Sequence, residues 1–406
     1  MYSISISFAS KSRPVRLALR AGLIGLLLSG LTGPALAGDP VAADPQQPAQ
    51  ESFADKVRVS FRNLTYWQSQ WPQKPFLGAD NPFNLPSDTL ESDFRLDLAA
   101  KLPYLELLVK PRWELTWERW ESGWKKGEEE SDENAYINEW LVRLQPLDNL
   151  FLSYGREDLQ WGPALLLSPS NPFYTSNGKS QPKKEVPGAD YARLLWAPDQ
   201  NWTASIIVNT DEGRKENYTE FAKTCALKID YLAERGYASL NLAKKESADW
   251  RLSGFASWNL NEKIILYTEG SGTDDAIEAL VGGSYTFADG GMINVEYFHN
   301  GSGDRTAGLQ EILNEDFWRD GRMTMLRENY LLLQYHKEDV YGNWSTTLRW
   351  TAGLDDSSSS LFGLYEYNVS DHVQLFVNGT ANHGNSDDEL SATLDYQTMA
   401  GIDYKF

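Results

Sequence analysis

Leu394-Asp395-Tyr396-Gln397-Thr398-Met399-Ala400-Gly401-Ile402-Asp403-Tyr404-Lys405-Phe406 alternates with a period of two. Leu394, Tyr396, Thr398, Ala400, Ile402, Tyr404 and Phe406 make one mostly apolar row, and the intervening residues make a mostly polar one. Successive side chains of a strand point to opposite faces, so one face of this segment suits lipid and the other suits water.

The same pattern repeats upstream. From Lys56 onward, runs of roughly ten residues alternate in this way, which is the signature of transmembrane β-strands rather than helices. The segments are 56–67, 91–101, 104–119, 135–145, 150–158, 189–197, 201–210, 221–232, 237–244, 249–259, 262–270, 276–288, 291–300, 326–337, 343–353, 360–369, 372–382 and 390–406. Connections alternate as well. Tight ones such as Leu102-Pro103, Leu260-Asn261, Asp289-Gly290 and Ser370-Asp371 fall at one end of the strands, and long ones (68–90, 120–134, 159–188, 211–220, 301–325) at the other. The predicted fold is all-β: a transmembrane antiparallel up-and-down barrel of about eighteen strands (roughly 16–18), with both termini periplasmic. A soluble sandwich or propeller would also alternate, but neither the turn-length pattern nor the absence of a fixed repeat suits it.

The amino end points to export. Lys11, Arg13, Arg16 and Arg20 precede or flank the apolar stretch 21–31, and Ala35-Leu36-Ala37 is a small-x-small cleavage site. Residues 1–37 therefore read as a cleaved signal peptide, 38–55 as a periplasmic linker and 56–406 as the barrel. The composition agrees: 13% aromatic residues with a mean hydropathy of −0.47 fit aromatic girdles around a polar lumen. A net charge of −20 disfavours nucleic acid as a partner. Cys225 is the only cysteine, so an intramolecular disulfide is excluded.

Inward parity selects the residues that would meet a solute. Arg58, Arg62, Arg95, Lys110, Arg112, Arg143, Arg193 and Arg349 are the basic candidates, with Glu114 and Glu139 among an interleaved acidic set. Two readings stay open: a ladder of cross-strand ion pairs that stiffens a water-filled barrel, or a rail for anions past a constriction. Connection 159–188 is far longer than a typical loop and is the candidate constriction, with Arg156, Trp161, Lys179, Lys183 and Lys184 as its residues. Strict alternation would turn Arg156 outward with Leu152 and Tyr154, unless a bulge redirects it. Acidic clusters such as 128–133 read as solvated loop charge or as loose divalent-ion bridges to lipopolysaccharide. His299, His336, His372 and His383 have no metal-site spacing, so neither a metal nor a cofactor is expected.

The terminal aromatic strand, with Tyr404 and Phe406, resembles the closing strand of Gram-negative outer-membrane β-barrels. That likeness implies an outer-membrane location, contact with lipid and lipopolysaccharide, and recognition of the strand by the barrel-assembly machinery. Gly155-Arg156, Trp161-Gly162 and Ser168-Pro169-Ser170-Asn171-Pro172-Phe173 resemble a feature of eighteen-stranded alginate-export and capsule-assembly barrels, which carry or bind sugar polymers. The expected function is a porin-like channel for passive passage of hydrophilic solutes, saccharides or anions, rather than an enzyme. The alternatives are a surface barrel for exopolysaccharide binding, export or capsule assembly, and an outer-membrane hydrolase using His336 or His383.

Overall fold

The segment 394–406 is the last strand of a closed ring. The computed structural model describes residues 56–72, 81, 83–174, 178–180, 182–214, 221–246, 248–306 and 325–406; the expected signal peptide and linker lie outside them. In chain order the strands are β1 (Val57–Pro72), β2 (Asp88–Lys101), β3 (Leu105–Arg119), β4 (Glu129–Leu147), β5 (Leu150–Glu157), β6 (Ala189–Trp196), β7 (Trp202–Asp211), β8 (Thr224–Ala233) and β9 (Gly236–Lys245). They continue as β10 (Trp250–Asn259), β11 (Ile264–Gly272), β12 (Ile277–Thr286), β13 (Met292–Asn300), β14 (Asn329–Lys337), β15 (Trp344–Gly353), β16 (Ser359–Asn368), β17 (Val373–His383) and β18 (Leu394–Lys405). Every strand pairs antiparallel with its sequence neighbours, and β18 pairs with β1 to form an eighteen-stranded barrel. Closure leaves no unpaired edge, the condition for a sheet to survive in lipid.

The seam is held by backbone and charge together. Phe406 N–H donates to the Phe61 carbonyl and Phe61 N–H to that of Phe406, both at 2.8 Å. Arg62 forks onto the fully buried Asp403 with two bonds of 2.7 Å.

Outward rows are apolar and inward rows polar, as the alternation predicts. Val59, Leu240, Val281 and Leu361 are among the many large apolar side chains exposed on the outside. In water such a belt would be an aggregation liability; in a bilayer it is the interface. Trp196, Trp202, Trp258 and Trp344 lie at strand ends beside the short turns, with ring pairs Trp202–Tyr231 at 4.5 Å and Trp344–Tyr367 at 4.7 Å. Trp67 and Trp117 pair at 5.6 Å toward the other end. These are the two aromatic girdles. Cys225 lies on the outward row, exposed.

Several strands run beyond their predicted limits. β1 extends to Pro72 and β4 begins at Glu129, because Glu129–Glu133 pair with Leu115–Arg119 of β3 through backbone bonds that an acidic sequence does not advertise. Pro111, inside β3, has no N–H to give, and β4 bulges opposite it at Asn138. At the long-loop end, connections 246–249, 273–276 and 354–358 are short, so only some of the loops there are extended.

Gly155 marks where β4 and β5 approach too closely for a side chain: a Cβ there would sit 2.0 Å from the Trp140 carbonyl oxygen and 2.8 Å from Leu141 Cα. Gly155→Ala should therefore destabilise the barrel by about 1–3 kcal/mol. The expected readout is a lower temperature for conversion from the folded to the unfolded band on semi-native gels; an unchanged transition would refute this reading of Gly155.

Candidate functional site

The described residues of the 158–188 connection enter the barrel. Its first part lies along the inner wall of β6–β14, an unusual stretch of lumen because clusters of large apolar side chains stand among its polar inward residues. Leu159, Phe173 and Tyr174 pack on Tyr191, Ile207, Ala226 and Ala243 of β6 to β9. Ala164, Leu166 and Leu167 pack on Tyr267, Leu280, Phe298, Tyr330 and Leu332 of β11 to β14.

A loop pressed against such a wall must satisfy its backbone N–H groups without water. Two buried wall carboxylates do this. Glu269 on β11 accepts from Ala164 N–H at 2.9 Å and from the Ser168 and Ser170 hydroxyls, both at 2.8 Å. Glu296 on β13 accepts from Leu165 N–H at 2.6 Å, Leu166 N–H at 2.8 Å and the Tyr267 hydroxyl at 2.7 Å. The Ser-Pro-Ser-Asn-Pro-Phe motif thus has a structural reading. Its serines bind Glu269, and Asn171 ties the loop to itself, donating to the Leu159 carbonyl at 2.8 Å and accepting from Phe173 N–H at 3.0 Å. Gly162 of the Trp-Gly pair sits at φ +89°, and a Cβ there would come within 2.2 Å of Glu269 Oε1.

The second part of the loop crosses to the opposite wall. Lys183 reaches Glu366 on β16 at 2.6 Å and Gln374 on β17 at 2.9 Å, lies 4.6 Å from the centre of the Phe376 ring, and stands 3.8 Å from Asp403. Glu185 receives both arms of the Arg112 guanidinium, at 2.7 and 2.6 Å. Asn138, the bulge residue, donates to the Val186 carbonyl at 3.2 Å.

Opposite the apolar wall, β1, β2 and β3 carry the expected basic arc in one cross-strand row. Lys405 faces Arg62, Arg62 faces Arg95, and Arg95 faces Arg112. Guanidinium-bearing residues at adjacent positions repel unless acids intervene. Each arginine has its own: Asp403 for Arg62, Asp93 for Arg95 at 2.5 Å, and Glu185 with Asp97 for Arg112. Two residues further along the wall, Asp93 faces Glu114. Oxygens of Glu91, Asp93 and Glu114 lie within 4.8 Å of one another, where the Tyr66 and Tyr136 hydroxyls donate to Glu91 and Glu114.

The remaining candidates divide by exposure. Arg58 is exposed within the lumen; Lys110 pairs with Glu139 at 2.7 Å and Arg143 with Glu106 at 2.7 Å, all partly open to solvent. Arg112 is buried, and its charge is committed to the loop. Arg193 and Arg349 are half-buried, Arg349 over the Phe362 ring at 4.9 Å. Among the loop residues, Lys184 is exposed, Lys179 donates to the Gly162 carbonyl at 2.8 Å, and Trp161 packs edge-on against Phe173. Arg156, grouped with the constriction in the sequence, is not brought there. β5 keeps its alternation, and Arg156 stays on the outward row at the long-loop rim, paired with Asp190 at 2.7 Å. A rim position makes an outward arginine affordable, since its cost falls to ~0–1 kcal/mol near the interface. His336 bonds Thr347 at 2.9 Å, and His383 is exposed at the end of β17.

Parity places Glu269 and Glu296 among the inward acids, and sequence reasoning missed only that they anchor the loop. A signal was present: the run Leu331-Leu332-Leu333 is apolar on both faces, which requires something to cover it from inside.

No family model and no curated protein sequence matches the chain. Solved structures do. A variant of OccD1 (OprD) is 11% identical and aligns over 88% of this chain and 97% of that one, with a TM-score of 0.57. OccK5 (OpdH) of Pseudomonas aeruginosa is 10% identical, over 88% and 99%, with a TM-score of 0.57. A mutant Rhodopseudomonas blastica porin is 12% identical, over 86% and 100%, with a TM-score of 0.47.

Replacing Glu296 by Leu would orphan the Leu165 and Leu166 amides at ~1–3 kcal/mol each. Trypsin cleavage at Lys179, Lys183 or Lys184 is then expected to rise at least about tenfold; an unchanged rate would show that Glu296 does not hold the loop.

Burial and the nearby Glu139 push the carboxyl of Asp158, the first loop residue, up to about 7. The docked loop therefore keeps a proton that an opened loop releases, and docking weakens as pH rises toward and through that value. Asp158→Asn should slow loop cleavage strongly at about pH 8 and progressively less as pH falls from about 7 toward about 4, where the carboxyl is protonated in docked and opened loop alike; equal effects at the two ends of that range would contradict the assignment.

The described residues thus share the closed antiparallel β-barrel fold of the OccD1 and OccK5 structures, with a loop of their own sequence folded across its lumen.

Proposed function

We propose that the chain is a channel in the outer membrane of a Gram-negative bacterium, for passive passage of hydrophilic solutes, with its termini and short turns on the periplasmic side. The observation that carries this reading is the loop position. A segment pinned across the lumen at both walls narrows a water-filled barrel and offers no platform above the surface. Solutes pass beside the loop's crossing, along the part of the β1–β4 wall that its anchors leave free, where Arg58, Lys110 and Arg143 are open to solvent. Interleaved ion pairs give that wall many weak stations rather than one tight site, as conduction requires. Small anions and hydroxyl-rich solutes such as saccharides suit it.

Planar-bilayer recording is the test. The protein should give discrete conductance steps, and Arg58→Glu with Lys110→Gln should shift the reversal potential toward cations. Arg112→Leu removes the clamp on Glu185 and should enlarge or destabilise the unit step. Absence of any conductance would overturn the channel reading, and unchanged reversal potentials would remove the basic wall from it.

A further inference from the structure

Arg193 takes no part in the ion-pair rows. Arg193, on β6, has no hydrogen-bond or ion-pair partner among the described residues, and its Nε is buried. Arg143 on β4 faces Ser153 on β5, and Ser153 faces Arg193. Two guanidinium-bearing residues therefore flank one hydroxyl at a single height of the wall. Immediately toward the short-turn end, Phe151 faces Leu195. These five residues line a recess of about 200 Å³, below the ~300–1,000 Å³ of a drug-sized pocket, so its occupant is small.

The charges that act on Arg193 have other partners: Asp230 on β8 accepts from Lys228 and from the Tyr237 hydroxyl. Arg143 Nη1 is held by Glu106 at 2.7 Å. Glu157, four residues beyond Ser153, stands 4.0 Å from Arg143 Nη2, and its Oε1 is itself buried without a hydrogen-bond partner. Glu157 does not line the recess and makes no ion pair with Arg193, so a buried donor, Arg193 Nε, and a buried acceptor, Glu157 Oε1, stay apart. A half-buried guanidinium with a buried, unsatisfied Nε is costly, and an anion brought to it recovers charge-assisted bonds. The apolar pair below gives the ligand's body a place that water fills poorly.

We propose that Arg193, Ser153 and Arg143 form a binding station for a small amphiphilic organic anion: a carboxylate on the guanidinium and hydroxyl groups, with a compact apolar body on Phe151 and Leu195. Glu157 is the competing charge that keeps the affinity low enough for release. The station extends the proposed solute path toward the short-turn end, but its test does not depend on conduction, so either idea can fail alone.

The test is calorimetric titration of the intact barrel in detergent with cyclohexanecarboxylate, acetate and cyclohexylmethanol. Cyclohexanecarboxylate should bind saturably, and the two fragments at least about tenfold more weakly. Arg193→Leu should abolish binding, Arg193→Lys should retain part of it, and Glu157→Gln should tighten it. Should Arg193→Leu fail to fold, the Glu157→Gln and fragment titrations decide. No saturable binding to the wild-type barrel, equal binding by folded Arg193→Leu, or no gain with Glu157→Gln would each overturn the proposal.

Discussion

Two carboxylates on the barrel wall, Glu269 and Glu296, receive the backbone and hydroxyl donors of a loop that would otherwise carry them unsatisfied into a dry interior. Everything distinctive about the lumen depends on that constraint. The apolar clusters among the inward residues of β6–β14 are tolerable only because the loop covers them. The loop stays there only because its amides have acceptors, since apolar burial alone would leave each orphan at ~1–3 kcal/mol. On the far side, Arg112–Glu185 and Lys183–Glu366 fix the span. One wall is thereby covered, and the β1–β4 wall keeps open the positions that the loop's far anchors leave free, among them Arg58, Lys110 and Arg143.

This division explains why the basic arc is built as it is. Arg62, Arg95 and Arg112 stand side by side on adjacent strands, an arrangement that needs intervening acids. Arg112 serves the loop, Arg62 serves the β1–β18 seam through Asp403, and Arg95 holds Asp93. The two sequence readings, stiffening ladder and solute rail, therefore fall to different residues. The arginine row is mainly structural, and the more open Arg58, Lys110 and Arg143 are left to meet solutes.

The architecture was legible in the sequence because membrane strands advertise themselves twice, by side-chain parity and by the turns between them. Leu102-Pro103 and Ser370-Asp371 fix a strand's end regardless of what the barrel contains. β4 was cut short because Glu129–Glu133 carry no apolar row, although their backbone pairs with β3. The loop's course was not legible, because it has no period and its anchors are ordinary inward glutamates. Gly155, Gly162 and the Ser-Pro-Ser-Asn-Pro-Phe stretch stood out as a motif, yet only the geometry shows that the glycines allow close approach and the serines bind Glu269. Arg156 shows the converse: simple alternation placed it outward, and proximity to the motif was the misleading cue.

The central claim is that the loop, rather than the barrel wall, sets the narrowest passage. It is tested most directly by the single-channel conductance of a barrel in which 159–186 is replaced by a short Gly-Ser linker joining β5 to β6. An inward, constricting loop requires the shortened barrel to conduct several-fold more than the parent, as expected of a porin lumen without its obstruction. Equal conductance from a folded, shortened barrel would contradict it.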